Sequence, residues 1–293
     1  MIDAVPPDPR RHAYRHDLAA EPLRGRVASR RFVKGEQRQV VAPSLALRRE
    51  PLFDATLDTE ALRGEIVTVY DESEGWAWVQ LSRDGYVGYV PGEGLTRALV
   101  APTHRISALR TYVYPEPDGK TPPLALLSLN AGIAAPRKQG KFLALEGGGF
   151  VVASHASSVG TAEPDFVAVA EAFVGTPYLW GGRTSIGTDC SGLVQLALEA
   201  AGHASPRDAD MQAQELGRVI DPKGALRRGD LVFWEGHFGI MTSGKDFLHA
   251  NAFHMAVAAE PFAQAKRRIK AAGYEVSCAR RLPRQAARVK RGP

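Results

Sequence analysis

Residues 176–193 read TPYLWGGRTSIGTDCSGL, and residues 229–251 read GDLVFWEGHFGIMTSGKDFLHAN. The first stretch is a Gly-rich polar loop running into a helix, with Asp189 placed as N-cap and Gly202 as the stop. The second divides into three short apolar runs, GDLVFWE, HFGIMTS and FLHAN, with SGKD as a hairpin turn. Upstream, Pro164 is suited to a first helical residue. Phe166, Val169, Ala170, Phe173 and Val174 then share one face until Gly175. Helices followed by an antiparallel sheet predict an α+β domain over 161–293.

Cys190 stands in the first turn behind Asp189, where free backbone N–H groups and the helix dipole favour a thiolate. From position alone, nucleophile and packing residue are both open. The histidines extend the argument. His249 lies twelve residues after His237, in the next strand. If the hairpin loop has three residues and Thr242 pairs with Asp246, Gly239 faces His249. His237 then sits one diagonal away on the same face, at roughly 7–8 Å between backbones. The missing side chain of Gly239 leaves room for two imidazoles. A two-residue loop would put them on opposite faces. In the paired geometry His237 is a general base for Cys190 and His249 orients it. His254 competes for the orienting role. No clear carboxylate accompanies the three histidines, so no metal site is expected.

Working outward, the chain has 293 residues, and 37 basic against 32 acidic side chains give a formal charge of +5. A hydrophobic content of 44% and a charged content of 24% exclude a mainly disordered chain. With only Cys190 and Cys278, neither a disulfide framework nor a C-x-x-C zinc site is possible. Cys278 reads as structural. No secretory leader or transmembrane run is seen, which sets a cytoplasmic expectation. From Arg280 to Pro293 six Arg or Lys occur without one acid. No aromatics interleave with them, so a nucleic-acid partner is not expected.

The first 36 residues read as an extended arm. From Gln37, VVAPSLALR, EIVTVYD, GWAWVQL and YVGYV form close-spaced strand patterns, and the order returns from about residue 100 with a period of about 60 residues. The expected organisation is therefore an arm (1–36), a barrel (37–98), a second barrel (99–160) and the α+β domain (161–293) with its basic tail. A single larger sandwich is the alternative for the middle of the chain.

PYLWGG…TDCSGL, GDLVFW, HFGIM and LHA, in this order, resemble the NlpC-type papain-like cysteine peptidases of bacterial cell-wall metabolism. The resemblance covers about residues 165–255. It implies a papain-like catalytic domain, so the expected fold is two small SH3-like β-barrels, read from the repeat, followed by that domain. It also implies Cys190 as nucleophile, His237 as base, His249 as third member, and a Tyr178 hydroxyl near the developing oxyanion. SH3-like barrels ahead of such a domain resemble the γ-D-glutamyl-L-diamino-acid endopeptidases of murein recycling, whose first barrel borders the active site. Their substrates are small murein peptides with a free N-terminal L-Ala. The resemblance points to Asp189 and Ser191 as receptors of that ammonium, completed by Glu65 and Tyr86. Each has a plainer role open to it: helix cap, strand-edge charge or barrel aromatic. Arg207 and Asp208 match a recurrent loop of the family, where a paired Arg–Asp can also be structural. No cofactor is called for, and neither diaminopimelate against lysine nor the oligomeric state is legible. Alternatives are the same chemistry on intact peptidoglycan, transfer of the acyl group to an amine, and a catalytically silent module that binds peptide or wall.

Overall fold

The computed structural model describes residues 6–283. The first residues of the arm and most of the basic tail lie outside the described residues. The chain divides into two compact units: residues 1–161 with 179–187, and residues 162–178 with 188–293.

The first unit is built around one antiparallel sheet. Its strands are β1 (Glu36–Val40), β2 (Ser44–Arg48), β3 (Leu57–Leu62), β4 (Ile66–Ser73), β5 (Trp76–Leu81), β6 (Val87–Pro91) and β7 (Leu95–Thr96). They lie in the order β3-β2-β6-β5-β4-β1-β7. The alternation in WAWVQL has a direct consequence, because both faces of β5 are covered. Ala77, Val79 and Leu81 join Val67, Leu47 and Val90 in the inner core. Trp78 points the other way, where Leu18, Leu23 and Val27 of the arm pack on it. The Arg15 guanidinium lies 4.4 Å from the Trp78 ring and donates to Asp71, a cation–π contact that fixes the arm on this face.

Residues 104–158 depart from the expected second barrel. They form a three-stranded sheet (Gly132–Ile133, His104–Ile106, Ala156–Ser158), a hairpin (Arg110–Val113 with Ala125–Ser128) and a further three-stranded sheet (Arg137–Gln139, Phe142–Ala144, Phe150–Val152). No closed barrel forms among the described residues, and the seven-stranded sheet is likewise open at β3 and β7. The physical reason lies in the chain itself. Pro115, Pro117, Pro122 and Pro123 cannot donate to a ladder, and Gly147 to Gly149 all have positive φ, so ladders stay two to four residues long.

The second unit contains α1 (Phe166–Glu171), α2 (Cys190–Ala200), α3 (Ala209–Glu215) and α4 (Phe262–Ala271). Its sheet has strands β8 (Arg218–Ile220), β9 (Asp230–Trp234), β10 (His237–Met241), β11 (Asp246–Asn251), β12 (Ala256–Pro261) and β13 (Cys278–Arg281), in the order β8-β13-β9-β10-β11-β12. α1 starts two residues later than the Pro164 rule suggests, because the Asp165 carboxylate accepts from the Val167 N–H at 2.9 Å and caps the helix there. α2 is buried on every side except at Glu199, the pattern of a core helix. Phe262, Ala265 and Ile269 of α4 follow a 3–4 spacing and close over Trp234, Met241 and Phe247. No helix among the described residues is long and apolar enough to cross a membrane.

Candidate active site

The β10–β11 hairpin sets the site. The Thr242 N–H donates to the Asp246 carbonyl at 2.9 Å, leaving a three-residue loop. Ile240 pairs with Leu248 and Met241 with Phe247, so one step further Gly239 faces His249. A Cβ on Gly239 would lie 2.7 Å from the His249 Cβ and 2.5 Å from the Leu248 carbonyl oxygen. Only glycine allows that approach. The diagonal partner His237 then reaches His249, with His237 Nε2 2.8 Å from His249 Nδ1. Trp234 lies alongside the His237 ring, at 6.2 Å between centroids.

On the other side of β11 the register with β12 pairs His249 with Ala258 and Phe247 with Glu260. Glu260 is thus a second diagonal neighbour, displaced along β11 in the direction opposite to His237. The two ring nitrogens of His249 serve one neighbour each, and His249 Nε2 is 2.8 Å from Glu260 Oε1. Arg268 of α4 donates to both Glu260 oxygens, Nη1 to Oε2 at 2.7 Å and Nη2 to Oε1 at 2.5 Å. This guanidinium is the main reason the Glu260 pKa falls to about 2. Burial lowers the imidazoles as well, His237 to about 3 and His249 to about 4, which favours their neutral forms. His254 does not reach His237; its ring Nδ1 and backbone N–H both bond Asn251 Oδ1. Donor atoms of His249, His254 and Glu260 lie within 4.8 Å of one another. Glu260 is already bound there through both oxygens, so the cluster reads as a hydrogen-bond chain rather than a metal centre.

Cys190 opens α2 and is 7% exposed. Burial drives the thiol up to about 12. The Asp189 charge adds to the rise, while N–H groups of Phe238 and Ser191, together with Arg207, oppose it. Before substrate arrives the thiol and both imidazoles are therefore neutral. Tyr178 is half-buried, and burial, with the charges of Cys190 and Asp189, pushes its hydroxyl to about 12. It remains a neutral donor at physiological pH.

Asp189 caps α2 through the Gly192 N–H at 2.7 Å. The same carboxylate takes Arg207 in a bidentate grip, at 3.0 and 2.8 Å, and the Ser191 hydroxyl at 3.1 Å. Arg207, 1% exposed, also donates to Ser191 Oγ. Arg207 is thus paired with Asp189, and Asp208 occupies the N-cap position of α3. In the first unit, Tyr86 belongs to the inner core, and Glu65 accepts from Arg83 and from Arg183, each at 2.8 Å. Two guanidiniums offset that carboxylate. Arg183, read from sequence as part of a loop, is fully buried, and its backbone N–H donates to Glu60 Oε2 at 2.7 Å.

The sequence reading missed Glu260 and Arg268, which extend the hydrogen-bond chain from His249. A signal for Glu260 existed. With a four-residue connection after Asn251, it falls on the His249 face of the next strand.

The second unit thus holds a buried cysteine at a helix N-terminus and a hydrogen-bonded imidazole pair on the neighbouring sheet, residue types suited to a cysteine peptidase. The comparisons agree with that class. Residues 175–269 match the model of the NlpC/P60 family, and residues 47–95 match the bacterial dipeptidyl-peptidase Sh3 domain. The chain is 33% identical over 219 residues to the gamma-D-glutamyl-L-lysine dipeptidyl-peptidase of Bacillus subtilis, covering 67% of this chain and 73% of that one. It is 28% identical to the protein of the same name from Bacillus cereus, over 61% of this chain and 60% of that one. A crystal structure of an NlpC/P60 family protein from Bacillus cereus superposes with a TM-score of 0.71, over 85% of this chain and all of the other, at 22% identity. The chain belongs to the NlpC/P60 family of peptidases, with an SH3-like domain ahead of the catalytic one.

Proposed function

We propose that this protein is a cysteine peptidase that cleaves the γ-D-glutamyl-L-diamino-acid bond of small murein peptides with a free N-terminal L-Ala, a recycling reaction. The observation that carries the reading is the 2.8 Å His237–His249 bond on the strand whose Phe238 N–H serves Cys190. The names of the two Bacillus relatives support the choice of bond. Burial keeps the resting groups neutral, so ionisation is coupled: the Cys190 S–H bond breaks as His237 takes the proton. The thiolate then attacks the γ-glutamyl carbonyl. Tyr178 and the Cys190 backbone N–H are the proposed donors to the oxyanion. His237 returns the proton to the leaving amine, the C–N bond breaks, and water activated by His237 hydrolyses the thioester. Asp189 with Ser191 is the proposed receptor of the L-Ala ammonium, with the charge of Asp189 shared by Arg207.

The test is mass-resolved hydrolysis of L-Ala-γ-D-Glu-diaminopimelate and of its N-acetylated form. The free-amine peptide is expected to be cut after Glu, and Cys190→Ala should lower the rate by about four orders of magnitude or more. Equal cutting of both forms would overturn the ammonium receptor and favour a wall hydrolase. A folded protein that cuts neither would overturn the enzymatic reading.

A further inference from the structure

The hydrogen-bond chain does not stop at the two histidines. It runs His237 Nε2 to His249 Nδ1, His249 Nε2 to Glu260 Oε1, and Glu260 to Arg268. We propose that Glu260, gripped by Arg268, is a positioning residue that dictates which nitrogen of His249, and through it of His237, carries the proton. The inference rests on reading Cys190 and His237 as nucleophile and base.

The logic follows from donor and acceptor counting. Arg268 occupies Glu260 with N–H donors on both oxygens, so the carboxylate can only accept from His249. His249 Nε2 therefore carries a proton. In a neutral imidazole the other nitrogen, Nδ1, is then bare and must accept. Its neighbour His237 Nε2 supplies that proton, which leaves His237 Nδ1 without one. The chain thus presents the base with its lone pair on Nδ1, ready for the thiol proton. Without the carboxylate nothing selects this arrangement, and the reverse tautomers, with a proton on His237 Nδ1, block the transfer. Once His237 is charged, Glu260 also stabilises it at two removes: its charge raises the affinity of both imidazoles for a proton, against Arg268 and, for His249, the nearby His254. The geometry gives the reason for a histidine at position 249. A ring with nitrogens on opposite sides bridges two diagonal neighbours on different strands.

The direct test needs neither a variant nor substrate. Long-range proton–nitrogen NMR correlations of the wild-type imidazoles at neutral pH should show His249 and His237 both protonated on Nε2. A proton on His237 Nδ1 would overturn the proposal. Two variants separate its parts. Glu260→Gln keeps an acceptor oxygen but removes the charge, and kcat on the free-amine peptide should fall 10- to 100-fold with KM unchanged. The acid limb of its kcat/KM profile should move to lower pH. Glu260→Met removes the acceptor as well, and it should mix the tautomers and cost a further tenfold. If both variants fold and keep wild-type kcat and pH profile, Glu260 is structural only and the proposal fails. Inactivity of wild type would instead sink the proposed reaction, while the tautomer measurement would still stand.

Discussion

Among the networks of the described residues that join arginines to carboxylates, two end differently. In the first unit Glu65 sits between Arg83 and Arg183, and Glu60 receives the Arg183 backbone N–H. The charges close on one another. In the second unit Arg268 and Glu260 form a similar pair, but the chain continues through two neutral imidazoles. A closed network fixes a fold, whereas an open one ends on a ring nitrogen with a lone pair. The same residue chemistry serves structure in one place and proton transfer in the other because imidazole can both donate and accept.

The largest effect should come from opening the closed network. Arg183→Met leaves Glu60 and Glu65 without the buried guanidinium, and the first unit should lose about 3–5 kcal/mol in a denaturant titration. A loss below about 1 kcal/mol would show that Arg83 alone suffices and would break the comparison. Acid comes next. His237 and His249 have folded pKa values below the unfolded 6.5, so the stability tied to their neutral forms is complete above pH 6.5 and falls as pH drops toward 4 and 3. Between pH 6.5 and 5.5 the second unit should lose about 2 kcal/mol, near 1 for each imidazole. Glu260 adds its own loss only below pH 4.5 as it approaches its folded value of about 2. Amide exchange in β10 and β11 reads this directly, and flat protection across that window would contradict it.

Gly239→Ala sharpens the comparison at the imidazole pair. The new methyl meets backbone at 2.5 Å and the His249 Cβ at 2.7 Å, so the strands must part. The expected destabilisation is about 1–3 kcal/mol, with the His237–His249 bond broken and peptide cleavage lost. Smallest is Arg228→Gln, which removes pairs with Asp165 and Glu171 that are well over a third exposed. Its effect should stay below about 1 kcal/mol and shrink further with salt.

These contrasts also mark what the sequence makes legible. The His237–His249 pairing follows from one hairpin length and one glycine, both local. Cys190 behind its cap is local too. Glu260 was hidden by a strand, AVAAEP, whose small side chains give no alternation to fix its register. Arg268 was hidden because α4 follows β12 directly, behind a proline rather than a polar cap. Arg183 is furthest from view, since a Gly-rich stretch reads as an irregular loop and its partner Glu65 lies 118 positions away. The second barrel misread has the opposite origin. Similar strand order suggested a repeat, but prolines and consecutive glycines shortened the ladders below what closure needs.

The nine residues Leu179–Gly187 lie between two helices of the second unit in sequence yet belong to the first. On the ribosome, the first unit therefore stays incomplete until residue 187 has been made, well after its own strands have emerged. A gene cut after Thr161 would deliver a fragment whose Glu60 and Glu65 lack Arg183 and whose Ser128 lacks the Ser185 hydroxyl 3.0 Å away. Recombination at that apparent boundary yields a damaged module.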